Sequence, residues 1–267
     1  MTGKSLVRYF DKSYLEHLYE QYNDRKFIHP DPLEFLYNYP DLREREVVGI
    51  IASSLAYGQV KQILRSVSGI LNVLGSRPSG FLKKVTLEEL KSVFSNFKHR
   101  FTNDKELAVF LSNIGAILRK YGSLNFCFMK SYNKEHDIIP ALLSFTRELR
   151  AGECDCYNSL VPLPTGKCAY KRLNLFLRWM VRKDNVDIGG WDNIPTSKLI
   201  IPLDVHMYRI ALEHKLTERK QADMTSAVQI TNSFKKFCPE DPVKYDFALT
   251  RLGMKSHYLI NLERKHK

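Results

Sequence analysis

No run of the roughly 18 consecutive apolar residues needed to cross a membrane as a helix occurs in the chain, and no signal-peptide pattern is seen. The expectation is therefore a cytoplasmic protein. Cysteine is scarce: five in 267 residues, an odd number, with no pair in CxxC spacing and only one residue between Cys154 and Cys156. That excludes a zinc ribbon or finger and points to reduced thiols, with no metal and no cofactor. Also missing are a glycine-rich phosphate loop followed by lysine, an HExxH helix and a GxSxG elbow. P-loop nucleotide hydrolysis, zincin proteolysis and α/β-hydrolase chemistry drop out with them. Sustained period-two alternation, a strand–helix–strand rhythm, internal repeats and low-complexity tracts are absent as well. What remains is an all-α protein in two helical lobes rather than a sheet protein or a solenoid.

What is abundant is positive charge. Forty-one Lys and Arg stand against 29 Asp and Glu, a formal +12, and such an excess suits a polyanionic partner. Helical periodicity runs along most of the chain. Residues 12–26 carry Tyr14, Leu15, Leu18, Tyr19 and Tyr22 on one face; Arg43 to Leu74 reads as two helices with Gly58 and Gly75 as C-caps. Their core side is Val47, Val48, Ile50, Ile51, Leu55, Ile63, Leu64, Val67, Ile70, Leu71 and Leu74. Further helices are expected over 86–98, 104–121, 137–150, 205–215 and 223–237, and a last one capped by Asp241 with Pro242 in its first turn and stopped by Gly253.

The stretch from Gly166 to Arg209 sets a lysine at the start of one amphipathic helix and an aspartate at the start of the next. From Lys171 the apolar positions Leu173, Phe176, Leu177 and Met180 fall at helical spacing, while Arg178 and Arg182 lie within about 20° of Lys171 on another face. Before them, Leu163, Pro164, Thr165 and Gly166 suggest a turn whose glycine would leave helix N–H groups open to a phosphate. In PLDVHMYRIALEH, Pro202 biases Ile201 toward extended backbone, and Asp204 precedes the apolar run where an N-cap belongs. The N–H groups and helix dipole at such a position favour a charged carboxylate.

A turn, a lysine-bearing helix and then a Pro-x-Asp-x-His segment opening a helix resemble the helix-hairpin-helix DNA glycosylase superfamily, with LDVHMYRIA at 203–211 as the matching segment. The 33-residue interval from Lys171 to Asp204 is nearest to the archaeal 8-oxoguanine glycosylase branch. More narrowly, KRLNLFLRWMVRKDNVDIGGW, PLDVHMYRIA and PEDPVKYDFAL resemble the mostly bacterial DUF2400 family over nearly the whole chain, a resemblance that carries no established activity. The wider one implies a helical barrel lobe over 45–190 carrying the hairpin and Lys171. A second lobe, 1–44 plus 191–267, would place Asp204 at the mouth of the cleft between them. Many members of that superfamily end in a four-cysteine iron–sulfur loop. No cysteine follows Cys238, so no such cluster is expected.

The chemistry implied is removal of a damaged, 8-oxoguanine-like base from double-stranded DNA, with abasic-site lyase activity, by a monomer associated with the nucleoid. Such a base must leave the stack to be reached. Lys171 would attack the sugar carbon as a neutral amine, favoured by the nearby Arg172 and Arg178, and Asp204 would offset the positive charge that develops there. Lys167 is the alternative nucleophile. Gly166, Lys167, Arg172, Arg178, Arg182 and Gln59 are the candidate DNA contacts; Tyr57, Trp179 and Trp191 are candidates for a base pocket, Tyr57 and Gln59 because they follow the helix whose superfamily equivalent carries gap-filling side chains. Asp246, in VKYDFAL, reads equally as a buried hydrogen-bonded acid or as a site residue, and ranks below Asp204. The alternative function is a non-catalytic helix-hairpin-helix module that binds DNA structure through phosphates.

Overall fold

The computed structural model describes residues 10–151, 158–165 and 168–253, and they are mostly helical, with a single two-residue-per-strand hairpin. Helix α1 spans Lys12–Tyr22, α2 Leu42–Ser54, α3 Val60–Leu74, α4 Pro78–Lys84, α5 Leu87–Val93 and α6 Asp104–Tyr121. Helix α7 spans Leu124–Glu135, α8 Ile138–Leu149, α9 Lys171–Val181, α10 Val205–Glu213 and α11 Met224–Lys235; residues 246–253 are helical too. One hydrophobic cluster runs through the described residues from Phe10 to Leu249.

Helix α2 is the axis of this packing. Asp41 caps it, accepting from the N–H groups of Arg43 and Glu44, and every residue from Glu46 to Ser54 is buried. It packs on α9, α3, α4 and α7 and on the 3-10 helix Pro32–Asn38. Close approach to α9 depends on Gly49, where a Cβ would come 3.2 Å from the Phe176 ring. Helix α3 is amphipathic instead: Ile63, Val67, Ile70, Leu71 and Leu74 are buried while Lys61, Gln62 and Arg65 face outward. Each such aliphatic side chain contributes about 1.5–3 kcal/mol on burial, which fixes the outward face by default.

Helix α1 and Phe10 just before it pack against the C-terminal part of the described residues. Lys244 Nζ and the Tyr245 hydroxyl donate to Glu16 on α1 at 2.6 and 2.7 Å, and the Phe10 ring stacks on His214 with centroids 3.7 Å apart.

Several sequence expectations change in detail. The second helix of the expected pair has Gly75 at its C-cap, but α2 ends at Ser54 with Leu55 as its C-cap, three residues before Gly58. The segment 86–98 forms a helix only to Val93, and Lys98–His99 pairs antiparallel with Thr102–Asn103 instead. Asp241 does not cap a helix: its carboxylate binds Arg182, and residues 242–245 are turns. The first helix of the helix-hairpin-helix that the resemblance implies is not there among the described residues just before Leu163. Helix α8 ends at Leu149 and residues 158–165 form turns and coil, held by Ser159 N–H to Glu106 Oε1 and Asn158 Nδ2 to the Glu106 carbonyl. Pro162 and Pro164 disfavour helix in that stretch.

Candidate active site

Lys171 is the first residue of α9. Tyr170 precedes it in the left-handed region (φ 48°), anchored by its hydroxyl donating to the Leu163 carbonyl at 2.7 Å. Asp204 caps α10, accepting from Met207 N–H at 2.7 Å through Oδ1. The other oxygen, Oδ2, lies 3.8 Å from Lys171 Nζ, with side chains 34% and 21% exposed. A carbonyl completes the surroundings: the Lys171 amine is 3.4 Å from the oxygen of Ala56, just past the end of α2. Residues far apart in sequence thus bring an amine, a carboxylate and a carbonyl together at a place solvent reaches.

Arg172 braces this corner. Its guanidinium donates to the Ser54 carbonyl at 2.6 Å and the Ser159 carbonyl at 2.7 Å, and stands 5.1 Å from the centre of the Tyr57 ring. That engagement inside the protein corrects the expectation that it contacts phosphate. Tyr57 is corrected for the same reason. It is half-buried, donates to the His99 carbonyl at 3.0 Å, lies 2.5 Å from Thr102 Oγ1 and packs edge-on against the His99 ring. Such a side chain is a strut, not a base-stacking surface. Gln59 stays exposed at the N-cap of α3 and makes no capping hydrogen bond. Gly166 and Lys167 lie outside the described residues, as do Cys154 and Cys156.

Arg178 and Arg182 do not face a partner. Arg178 is buried, with Nη1 2.5 Å from Asp246 Oδ2 and Nη2 3.0 Å from Asp187 Oδ1. Arg182 is buried too, holding Asp184 and Asp241 at 2.9 Å and the second oxygen of Asp187. Burial disfavours both guanidinium charges, yet the surrounding carboxylates outweigh it and raise both pKa values. A cation buried without a partner would be untenable, so the acids are what allow these two inside. Asp246 therefore belongs to a buried ion-pair network. Burial pushes it up to about 6 against the pull of Arg178, and the negative charge of Asp204 adds in the same direction.

Both tryptophans are core residues, which corrects their candidacy for a base pocket. Trp179 is fully buried, and Trp191, 1% exposed, donates its indole N–H to Glu46 Oε1 at 2.9 Å. Trp191 packs against Phe128 and Phe176 at ring-centroid distances of 5.8 and 5.2 Å, as core aromatics do.

Fold and site together define an all-α protein with a partly exposed lysine–aspartate pair at the junction of three helix ends. The family model described as a protein of unknown function (DUF2400) matches residues 31–255, and the chain belongs to that family. No curated protein and no solved structure matches it. No described helix is long and apolar enough to cross a membrane.

Proposed function

We propose that this protein is a DNA base-excision glycosylase with abasic-site lyase activity, acting through Lys171 and Asp204 on a damaged base such as an oxidised, 8-oxoguanine-like purine. The observation that carries the reading is the 3.8 Å approach of the Lys171 amine to the Asp204 carboxylate, at a place open to solvent and in a chain of net charge +12. Lys171, as the free amine, forms a bond from Nζ to C1′ while the C1′–base bond breaks and the base leaves with the electron pair, taking up a proton. Opening of the sugar ring at O4′ then gives a protonated Schiff base. Loss of a proton from C2′ expels the 3′ phosphate by β-elimination. Asp204, with one oxygen fixed by the α10 N-terminus and the other aimed at the amine, offsets the positive charge at C1′ in the first step.

Gln59 and the cations outside the buried network supply backbone contacts in this reading, and Lys167 is the reserve nucleophile. Sodium borohydride reduction on duplexes with an abasic site or an oxidised purine tests it. A covalent adduct is expected with the wild type, lost in Lys171→Ala and weakened in Asp204→Asn. An adduct that survives Lys171→Ala and disappears in Lys167→Ala would move the nucleophile. No adduct and no base release across a lesion panel, with Asp204→Asn binding as the wild type does, would leave the non-catalytic DNA-binding module.

A further inference from the structure

The hairpin formed by Lys98–His99 and Thr102–Asn103 turns through Arg100 and Phe101, and Phe101 is 71% exposed. A single exposed apolar side chain needs no explanation, but this one has unusual company. The Arg100 guanidinium is 5.3 Å from the ring centre, and beside it lies a groove of about 580 Å³ between the hairpin and α3. Gln62, Arg65, Asn96, Lys98 and Arg100 are among the residues that line the groove. Arg65, Lys98 and Arg100 make no ion pair among the described residues, in contrast with the saturated Arg178 and Arg182.

The hairpin is firmly seated. His99 is buried, with Nε2 3.1 Å from the Tyr57 carbonyl and Nδ1 2.9 Å from Ser66 Oγ. Because a carbonyl only accepts, Nε2 carries the proton, and in the neutral ring Nδ1 accepts from the serine hydroxyl. Burial lowers the pKa of this histidine, which favours that neutral form. Thr102 and Ser159 hydroxyls meet at 2.5 Å on the other side. Arg100 sits in the left-handed region (φ 52°) and runs against Gly58, where a Cβ would come 2.4 Å from Arg100 Cδ. The tip thus stands on the same turn, Ala56 to Gly58, whose first residue offers its carbonyl to Lys171.

We infer that the hairpin tip and the outer face of α3 form a binding surface for a nucleic-acid strand, with Phe101 stacking on an unpaired base and Arg65, Lys98 and Arg100 contacting the flanking phosphates. An aromatic ring on a rigid mount beside unneutralised cations is the arrangement that suits an unstacked nucleotide, since every base presents a π-face and every nucleotide brings a negative charge. The surface shares its partner with the function proposed above but does not depend on Lys171 reacting. It adds a preference: nucleic acid with an unpaired nucleotide over fully matched duplex.

Two variants test it. In Phe101→Ala, an exposed position whose truncation leaves the unfolding midpoint unchanged, affinity for a duplex with one bulged adenine should fall about tenfold while affinity for the matched duplex holds. Phe101→Trp should restore the preference, and the introduced indole, read against the buried Trp179 and Trp191, should lose emission on binding the bulged duplex. The double variant Arg65→Ala, Arg100→Ala should lower the slope of log affinity against log salt by about 1.5. Unchanged discrimination in Phe101→Ala together with unchanged emission in Phe101→Trp overturns the inference. A borohydride adduct at Lys171 alongside that result would leave the proposed enzyme standing, whereas quenching without any adduct would sink the enzyme and keep the surface.

Discussion

The two ends of α9 carry the same kind of side chain and have opposite fates. At its N-terminal end Lys171 has one carboxylate at 3.8 Å and is one-third exposed. Two and three turns on, Arg178 and Arg182 lie on the same helical face but are buried among Asp184, Asp187, Asp241 and Asp246. One end is built to hold the protein together, and the other retains a cation that solvent and a ligand can reach. A lysine amine can also lose its proton and act as a nucleophile, which an arginine does not do at ordinary pH. Lys at the open end suits the nucleophilic role proposed for it, and Arg at the closed end suits pairing with several carboxylates at once.

The contrast can be broken most forcefully at its buried end. Asp187 is fully buried and bridges both guanidinium groups, so Asp187→Ala should leave two cations short of a partner. A loss of about 3–5 kcal/mol in urea unfolding is expected; a loss below about 1 kcal/mol would mean that the network contributes little to holding the fold.

Glu46 sharpens the comparison from a third position, a buried acid that makes no ion pair among the described residues. It accepts from the Trp191 indole N–H and the Leu124 N–H, each at 2.9 Å, and burial outweighs these bonds and pushes it up to about 7. The folded state therefore holds this proton more tightly than the unfolded chain does. Stability from Glu46 is present below about pH 4.5 and is lost as pH rises to about 7, by on the order of 3 kcal/mol. Unfolding midpoints measured across that window should fall in the wild type and stay flatter in Glu46→Gln; parallel curves would contradict the assignment.

Much of this architecture was legible in the sequence. The limits of α6, 104–121, follow from Asn103 capping with Glu106 in a reciprocal box and from Gly122 at the other end. Asp204 caps α10 as its place before an apolar run implies. Helix α7 went unread although Leu124, Phe128 and Tyr132 repeat every four residues, and α4 because it is only seven residues long. The deeper failure concerns Arg178 and Arg182. Periodicity gives an angle around a helix, not a depth, and the carboxylates that allow these two inside come from distant positions. A signal was present in Asp184 and Asp187, which follow α9 within six residues, and in Asp246 amid buried aromatics. Phe101 and Arg100 went unnoticed because a hairpin of two-residue strands has no period to detect.

The smallest effect on stability is expected at the open end. Asn is as good an N-cap as Asp, and an exposed ion pair contributes at most about 1 kcal/mol, so Asp204→Asn and Lys171→Gln should each unfold within about 1 kcal/mol of the wild type. A larger loss in either variant would make the pair a structural tie like its buried neighbours.

The most direct measurement is borohydride trapping on abasic-site duplex, comparing wild type, Lys171→Gln and Arg172→Gln, each shown folded. A covalent adduct is expected in the wild type and in Arg172→Gln, the latter reduced because the corner it braces is loosened, and none in Lys171→Gln. An adduct of wild-type yield in Lys171→Gln, or none in any of the three, would contradict the role proposed for Lys171.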